Sequence, residues 1–195
     1  MRFRGAATAA VVLVAMLSVT GCTSNDALSR QYRDGDTKNY ISGDGAVTEF
    51  DAKDAAPAVN FTATTTDGKT VSARDYRGKV LVLNFWFALC GPCRVEAADL
   101  NSISASKSDE ATFIGVNVRD EAGTAESFIR SFKVPYTNIL DAKDSAVQLA
   151  FSGSAAPNAT PSTVVLDKAG HVTARILGVA NKSVLETLID DASKR

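Results

Sequence analysis

The chain is poor in the residues from which metal centres and nucleic-acid interfaces are built. It has one histidine and three cysteines in 195 residues, and its 21 Lys+Arg against 22 Asp+Glu leave a formal net charge of -1. Charges that cancel this closely give no basic field to neutralise a run of phosphates, so nucleic acid is not expected as a partner. His171, Cys22 and the pair Cys90 and Cys93 are too scattered for a four-ligand zinc site, and no metal is expected. The Asp- and Gly-rich stretch 34–45 lacks the glutamate that closes a twelve-residue calcium loop. No repeat occurs at solenoid periods, and no apolar run reaches the roughly 20 residues that cross a bilayer as a helix. What is present is 45% hydrophobic and 22% charged residues, the composition of a globular protein with apolar material for one core.

The first residues differ from the rest. Met1-Arg2-Phe3-Arg4 is a basic start, and an uncharged, mostly apolar run from Ala6 to Val19 follows it. That order is a secretory signal, so residues 1–21 are expected to be a leader and the protein to lie outside the cytoplasm. Val19-Thr20-Gly21-Cys22 resembles the bacterial lipobox, in which the cysteine becomes the lipidated first residue, placing the chain on the outer face of the cell membrane through Cys22. A plain cleaved signal and an uncleaved anchor are the alternatives. Assigning Cys22 to lipid also removes the stray thiol that three cysteines would leave in an exported protein.

Residues 22–56 are polar, with one irregular strand near 47–50, and read as a tether; residues 57–195 read as one domain. Segments 59–64 and 69–72 flank Asp67-Gly68 as a two-residue hairpin. The run 79–87 is apolar enough for a strand buried on both faces, and 112–118 is a second. Helices are expected over 95–103, 125–132 and 145–151, with a short strand at 136–140. Strands at 163–166 and 172–179 form a hairpin around Asp167-Lys168-Ala169-Gly170. A last helix opens at Ser183, capped by a box with Glu186. Alternating strands and helices that end this way predict an α/β fold, a mixed sheet covered by helices on both sides.

Cys90-Gly91-Pro92-Cys93 lies between the first buried strand and a helix. Two cysteines this close enclose too short a loop to stabilise much, so they are better suited to chemistry. A helix N-terminus stabilises a thiolate, the attacking species, which makes Cys90 the accessible nucleophile and Cys93, one turn inward, a partly buried resolving thiol. Pro92 has no N–H and suits the first turn. A structural disulfide and half of a zinc site are the competing readings; haem attachment is excluded because Arg94 follows Cys93. Glu96 is three residues past Cys93 on the same helical face, either near the pair or solvated.

Asn84-Phe85-Trp86-Phe87-Ala88-Leu89-Cys90-Gly91-Pro92-Cys93-Arg94-Val95-Glu96, with Arg74-Asp75-Tyr76-Arg77-Gly78-Lys79 before it and Thr160-Pro161 after it, resembles the thioredoxin superfamily. Within it the likeness is to the TlpA/ResA-type (CcsX-like) branch of exported oxidoreductases, over residues 57–195. The resemblance implies a thioredoxin-like sheet with an N-terminal hairpin and a central insert near 112–132. It implies a cis bond before Pro161, and a partner received by Thr160, Pro161, Gly91 and Pro92. It implies that Glu96 assists proton transfer, the more so because Asn84 stands where thioredoxins proper have a buried acid. It further implies protein disulfide substrates such as apocytochrome c, a membrane thiol donor and no dissociable cofactor. The sequence departs from the branch at Leu89, where tryptophan is usual, and in the longer lead-in 151–159. A disulfide-forming oxidase, and a non-catalytic binding lipoprotein or metallochaperone that keeps the fold, remain open.

Overall fold

The computed structural model describes residues 46–51, 53, 56–151 and 153–195; the expected leader, Cys22 and most of the tether lie outside them. The described strands are β1 (Ala46–Glu49), β2 (Thr62–Thr64), β3 (Thr70–Ser72), β4 (Val80–Trp86), β5 (Ala111–Asn117), β6 (Thr137–Leu140), β7 (Ser162–Leu166) and β8 (Val172–Leu177). The helices are α1 (Gly91–Ser106), α2 (Ala122–Phe132), α3 (Ala146–Leu149) and α4 (Lys182–Ser193). Six strands form one sheet in the order β1-β8-β7-β4-β5-β6, and β2 and β3 pair separately. β4 and β6 run parallel to β5, whereas β7 is antiparallel to both β4 and β8.

Every residue of β4 is buried, which explains its unbroken apolar run. Alternation sends Leu81, Leu83 and Phe85 to one face, where they meet Ile114, Val116, Val164, Val147 and Phe151. Val80 and Val82 point the other way, onto Leu100 and Ile103 of α1 and Leu185, Leu188 and Ile189 of α4. Each such side chain contributes roughly 1.5–3 kcal/mol on leaving water. The helices thus cover the two faces unequally, because the β2–β3 hairpin, a short helical turn (Ala73–Tyr76) and α3 do the covering on the first face.

Several local expectations are corrected. The β2–β3 connection is a three-residue loop: Thr65 N donates to Lys69 O at 2.8 Å and Gly68 N to Thr65 O at 3.0 Å. Only Gly68 takes positive φ, at 81°, so Asp67 and Gly68 sit one position later in the turn than a two-residue loop requires. The last helix is capped by Asn181, whose side chain accepts from Ser183 N and Val184 N, so the box from Ser183 to Glu186 does not form. Asn181 satisfies the first-turn N–H groups that Ser183 was expected to serve. The irregular strand expected near 47–50 within the tether is edge strand β1, residues 46–49, and it pairs with β8, so the sheet begins ahead of residue 57. β1 covers the otherwise unpaired edge of β8, yet its largest apolar side chain, Val47, is exposed, so no apolar pattern joined it to the domain. The segment expected as an insert contributes β5, which is interior to the sheet, together with α2.

Candidate active site

β4 delivers the chain through Phe87, Ala88 and Leu89 to Cys90, the N-cap of α1. Cys90 has extended backbone (φ −71°, ψ 108°), with Pro92 in the first turn. Its Sγ accepts a hydrogen bond from Cys93 N at 3.2 Å. The sulfur therefore occupies the place of a capping oxygen, where orphan N–H groups and the positive end of the helix dipole favour negative charge. No acidic side chain in the first turn of α1 opposes this. Cys90 and Cys93 are joined as a disulfide.

The expectation of an accessible Cys90 beside a partly buried Cys93 is corrected in this oxidised state: Cys90 is 0% exposed and Cys93 3%. The cap position sinks the sulfur into a cluster with Trp86, Phe87, Ala88, Ala97, Ala125 and Phe128. Around it the surface is apolar and open, with Leu89 83% and Val95 72% exposed.

Glu96 is wholly buried, and it is the sixth residue of α1 rather than a solvated first-turn acid. Its Oε1 accepts from Asn84 Nδ2 at 2.7 Å and its Oε2 from Ala180 N at 2.9 Å. Asn84 also reaches Thr163 Oγ1 at 3.3 Å. A polar residue in the middle of β4 is thus accounted for as the partner of a buried carboxyl. Burial pushes the Glu96 carboxyl up from 4.5 to about 7, against the opposing pull of its two hydrogen bonds. Burial and then the charge of Glu96 push the Tyr136 phenol up as well. A cavity of about 10 Å³ is lined by Cys93, Asn84, Tyr136 and Asn138, near the smallest volume that admits one water.

The Thr160–Pro161 bond is cis, as the resemblance implies. Phe85 pairs with Ser162, so one step further along the register Pro161 stands opposite Trp86, at the end of β4 that leads to Cys90. Both Thr160 and Pro161 are buried. Trp86 donates from Nε1 to Asn138 Oδ1 at 3.0 Å, and its ring centre lies 4.4 Å from that of Phe128 at a tilt of 31°, so it packs the site as well as filling the core. Gly115 makes this possible, since a Cβ there would lie 1.9 Å from Asn138 Oδ1 and 2.8 Å from Trp86 Nε1. Gly115→Ala is expected to lower stability by about 1–3 kcal/mol, the usual cost of overpacking. Urea unfolding would check it; wild-type stability would show that the indole and the amide move aside freely.

The loop after β5 contains site residues that the sequence did not reveal. Asp120 Oδ2 accepts from Ala88 N at 2.6 Å, and the Arg119 guanidinium lies 4.2 Å from the centre of the Phe87 ring. On the other side Arg94 Nη1 donates to Ala88 O at 3.3 Å and Arg94 lies over Phe132. An Asn and an Asp three apart after a strand signal a self-bonded turn, but the spacing does not say which loop the turn grips. His171 is half-buried in its hairpin, against Asp167 at 3.2 Å.

Residues 51–189 match the family described as Redoxin. The chain is 31% identical over 135 residues to thiol:disulfide interchange protein HelX of Rhodobacter capsulatus, covering 69% of this chain and 73% of HelX. It is 29% identical over 133 residues to thiol-disulfide oxidoreductase ResA of Bacillus subtilis, covering 68% and 72% respectively. Among solved structures it resembles a secreted Mycobacterium tuberculosis disulfide oxidoreductase homologous to Escherichia coli DsbE. That likeness has 25% identity and a TM-score of 0.58, over 68% of this chain and 96% of the other.

Proposed function

Since the chain belongs to the Redoxin family and is a thiol–disulfide oxidoreductase of the TlpA/ResA type, we propose that it acts outside the cytoplasm as a reductase of exported protein disulfides, those of apocytochrome c among them. The observation that carries this reading is a cysteine pair at a helix N-cap with a buried carboxyl behind it whose proton affinity lies near neutrality.

In the proposed cycle the Cys90 thiolate attacks one sulfur of a partner disulfide, and the other partner sulfur leaves as a thiolate. Cys93 gives its proton to the Glu96 carboxylate and, as a thiolate, attacks Cys90 Sγ. The Cys90–Cys93 disulfide forms, the second partner thiolate is released, and two electrons have passed to the partner. Gly91, Pro92, Thr160 and Pro161 receive the partner's backbone beside the sulfurs. A membrane dithiol donor returns the pair to the reduced state, and no dissociable cofactor enters the cycle. Residues 1–21 are the leader and Cys22 carries the lipid. The polar segment behind it spaces the catalytic domain from the membrane. The export signal and the relative described as secreted support this location; the Gly91-Pro92 dipeptide, shared with reducing thioredoxins, supports the direction.

Direction is decided by the reduction potential of the pair, measured against glutathione. A value near about −270 mV, that of thioredoxin, is expected, and one near about −120 mV, that of a strong periplasmic oxidant, would make the protein a disulfide-forming oxidase instead.

A further inference from the structure

We propose that Asp120 is a positioning residue for the redox pair, holding the Ala88 peptide so that Cys90 is presented to a protein disulfide at a fixed depth. The inference rests in part on the reductase reading, because it assigns the clamp a role in meeting a protein partner.

Two consecutive residues after β5 grip two consecutive residues before Cys90: Arg119 covers Phe87, and Asp120 accepts from Ala88 N. The grip is itself braced. Asn117, wholly buried at the end of β5, donates from Nδ2 to the same Asp120 oxygen at 2.8 Å and accepts from Arg119 N at 3.1 Å and Asp120 N at 2.7 Å. From the opposite side Arg94 takes Ala88 O. Both polar backbone groups of Ala88 are therefore held by charged side chains from different parts of the fold. Hydrogen bonds with an ionised partner are the stronger kind.

Ala88 is two residues from Cys90, and the wall of the cluster that buries the sulfur includes Phe87 and Ala88. A large partner reaches this sulfur only where the loop holds it, whereas a small dithiol profits from any loosening of the loop. These two demands are opposed. Removing the Asp120 carboxylate is therefore predicted to separate the two kinds of reductant and substrate.

The test compares the full chain with Asp120→Ala and Asp120→Asn. In Asp120→Ala, reduction of the Cys90–Cys93 disulfide by dithiothreitol is expected to become about tenfold faster, while insulin reduction by the reduced protein becomes about tenfold slower. Asp120→Asn, which keeps an uncharged acceptor, should fall between the two proteins in both assays. Rates that stay at the wild-type value, or that move together by one factor, would overturn the proposal, because a merely structural contact loosens both reactions alike. If Asp120→Ala does not fold, Asp120→Asn decides by the same opposed shift. A wild-type protein inactive on insulin would strike the reductase reading, and the clamp would then be decided by the same opposed shift between dithiothreitol and a reduced, unfolded protein as reductants of the Cys90–Cys93 disulfide.

Discussion

Cys90→Ser should bring protein-disulfide reduction down to the uncatalysed background while leaving the fold in place. The reason lies in the double duty of the residue. Its Sγ is both the candidate nucleophile and the acceptor of the Cys93 N–H bond at the start of α1. Serine is among the best N-cap residues, so a hydroxyl takes over the capping bond, but it cannot take over the attack, because its oxygen stays protonated where a capped thiol ionises. Losing the disulfide removes a ring of only a few residues, which the chain-entropy account values at about 2 kcal/mol. Circular dichroism should be unchanged and thermal unfolding only modestly lowered. Cys93→Ser should behave differently: attack proceeds, resolution does not, and a mixed disulfide with the partner accumulates on a non-reducing gel. A non-catalytic binding protein would show no insulin reduction before or after either change and would trap nothing. Undiminished turnover in Cys90→Ser would end the cysteine mechanism.

The redox motif and its setting were legible because they are local. A continuous apolar run gives a doubly buried strand, and C-x-x-C directly after it gives a helix start, so β4, the pair and α1 follow from a window of under thirty residues. The cis bond before Pro161 followed from resemblance, and the structure has it. What stayed hidden depends on contacts between distant segments. Helical spacing puts Glu96 on the face of Cys93, but its depth is set by Ala180, 84 residues away, and by Asn84 on β4. Asp120 looks like an ordinary loop acid until the parallel pairing of β4 with β5 brings its loop beside Ala88. The strand near 47–50 was legible but its place at the edge of the sheet was not: an edge strand with exposed side chains is held by backbone hydrogen bonds, which leave no mark of their partner in composition.

Glu96→Gln is expected to slow the enzyme near neutral pH and, at the same time, to stabilise the fold there. The folded-state value of about 7 lies above the ordinary 4.5. Glu96 thus stabilises the fold fully only below about pH 4.5, and that contribution is lost as pH rises through about 7. The loss in the wild-type protein is about 3 kcal/mol, at 1.36 kcal/mol for each unit of displacement. A glutamine does not titrate and escapes it. Its carboxamide oxygen can accept from Ala180 N, and its NH2 can face Asn84 once that amide turns over to offer oxygen, so no buried polar group need be stranded. Urea unfolding at pH 8 should show the variant more stable by up to about 3 kcal/mol, the gap closing by pH 4. Catalysis should move the opposite way, since in the proposed cycle the variant lacks the carboxylate that takes the Cys93 proton. Insulin reduction at pH 7 to 8 should drop by about 10²-fold, within the usual range for a general base, and lose the wild-type rise through pH 7. A variant less stable than wild type at pH 8 would contradict the raised proton affinity, and an unchanged pH–rate profile would remove Glu96 from the proton path. Together the two measurements separate a carboxylate kept for its charge from one kept for its shape.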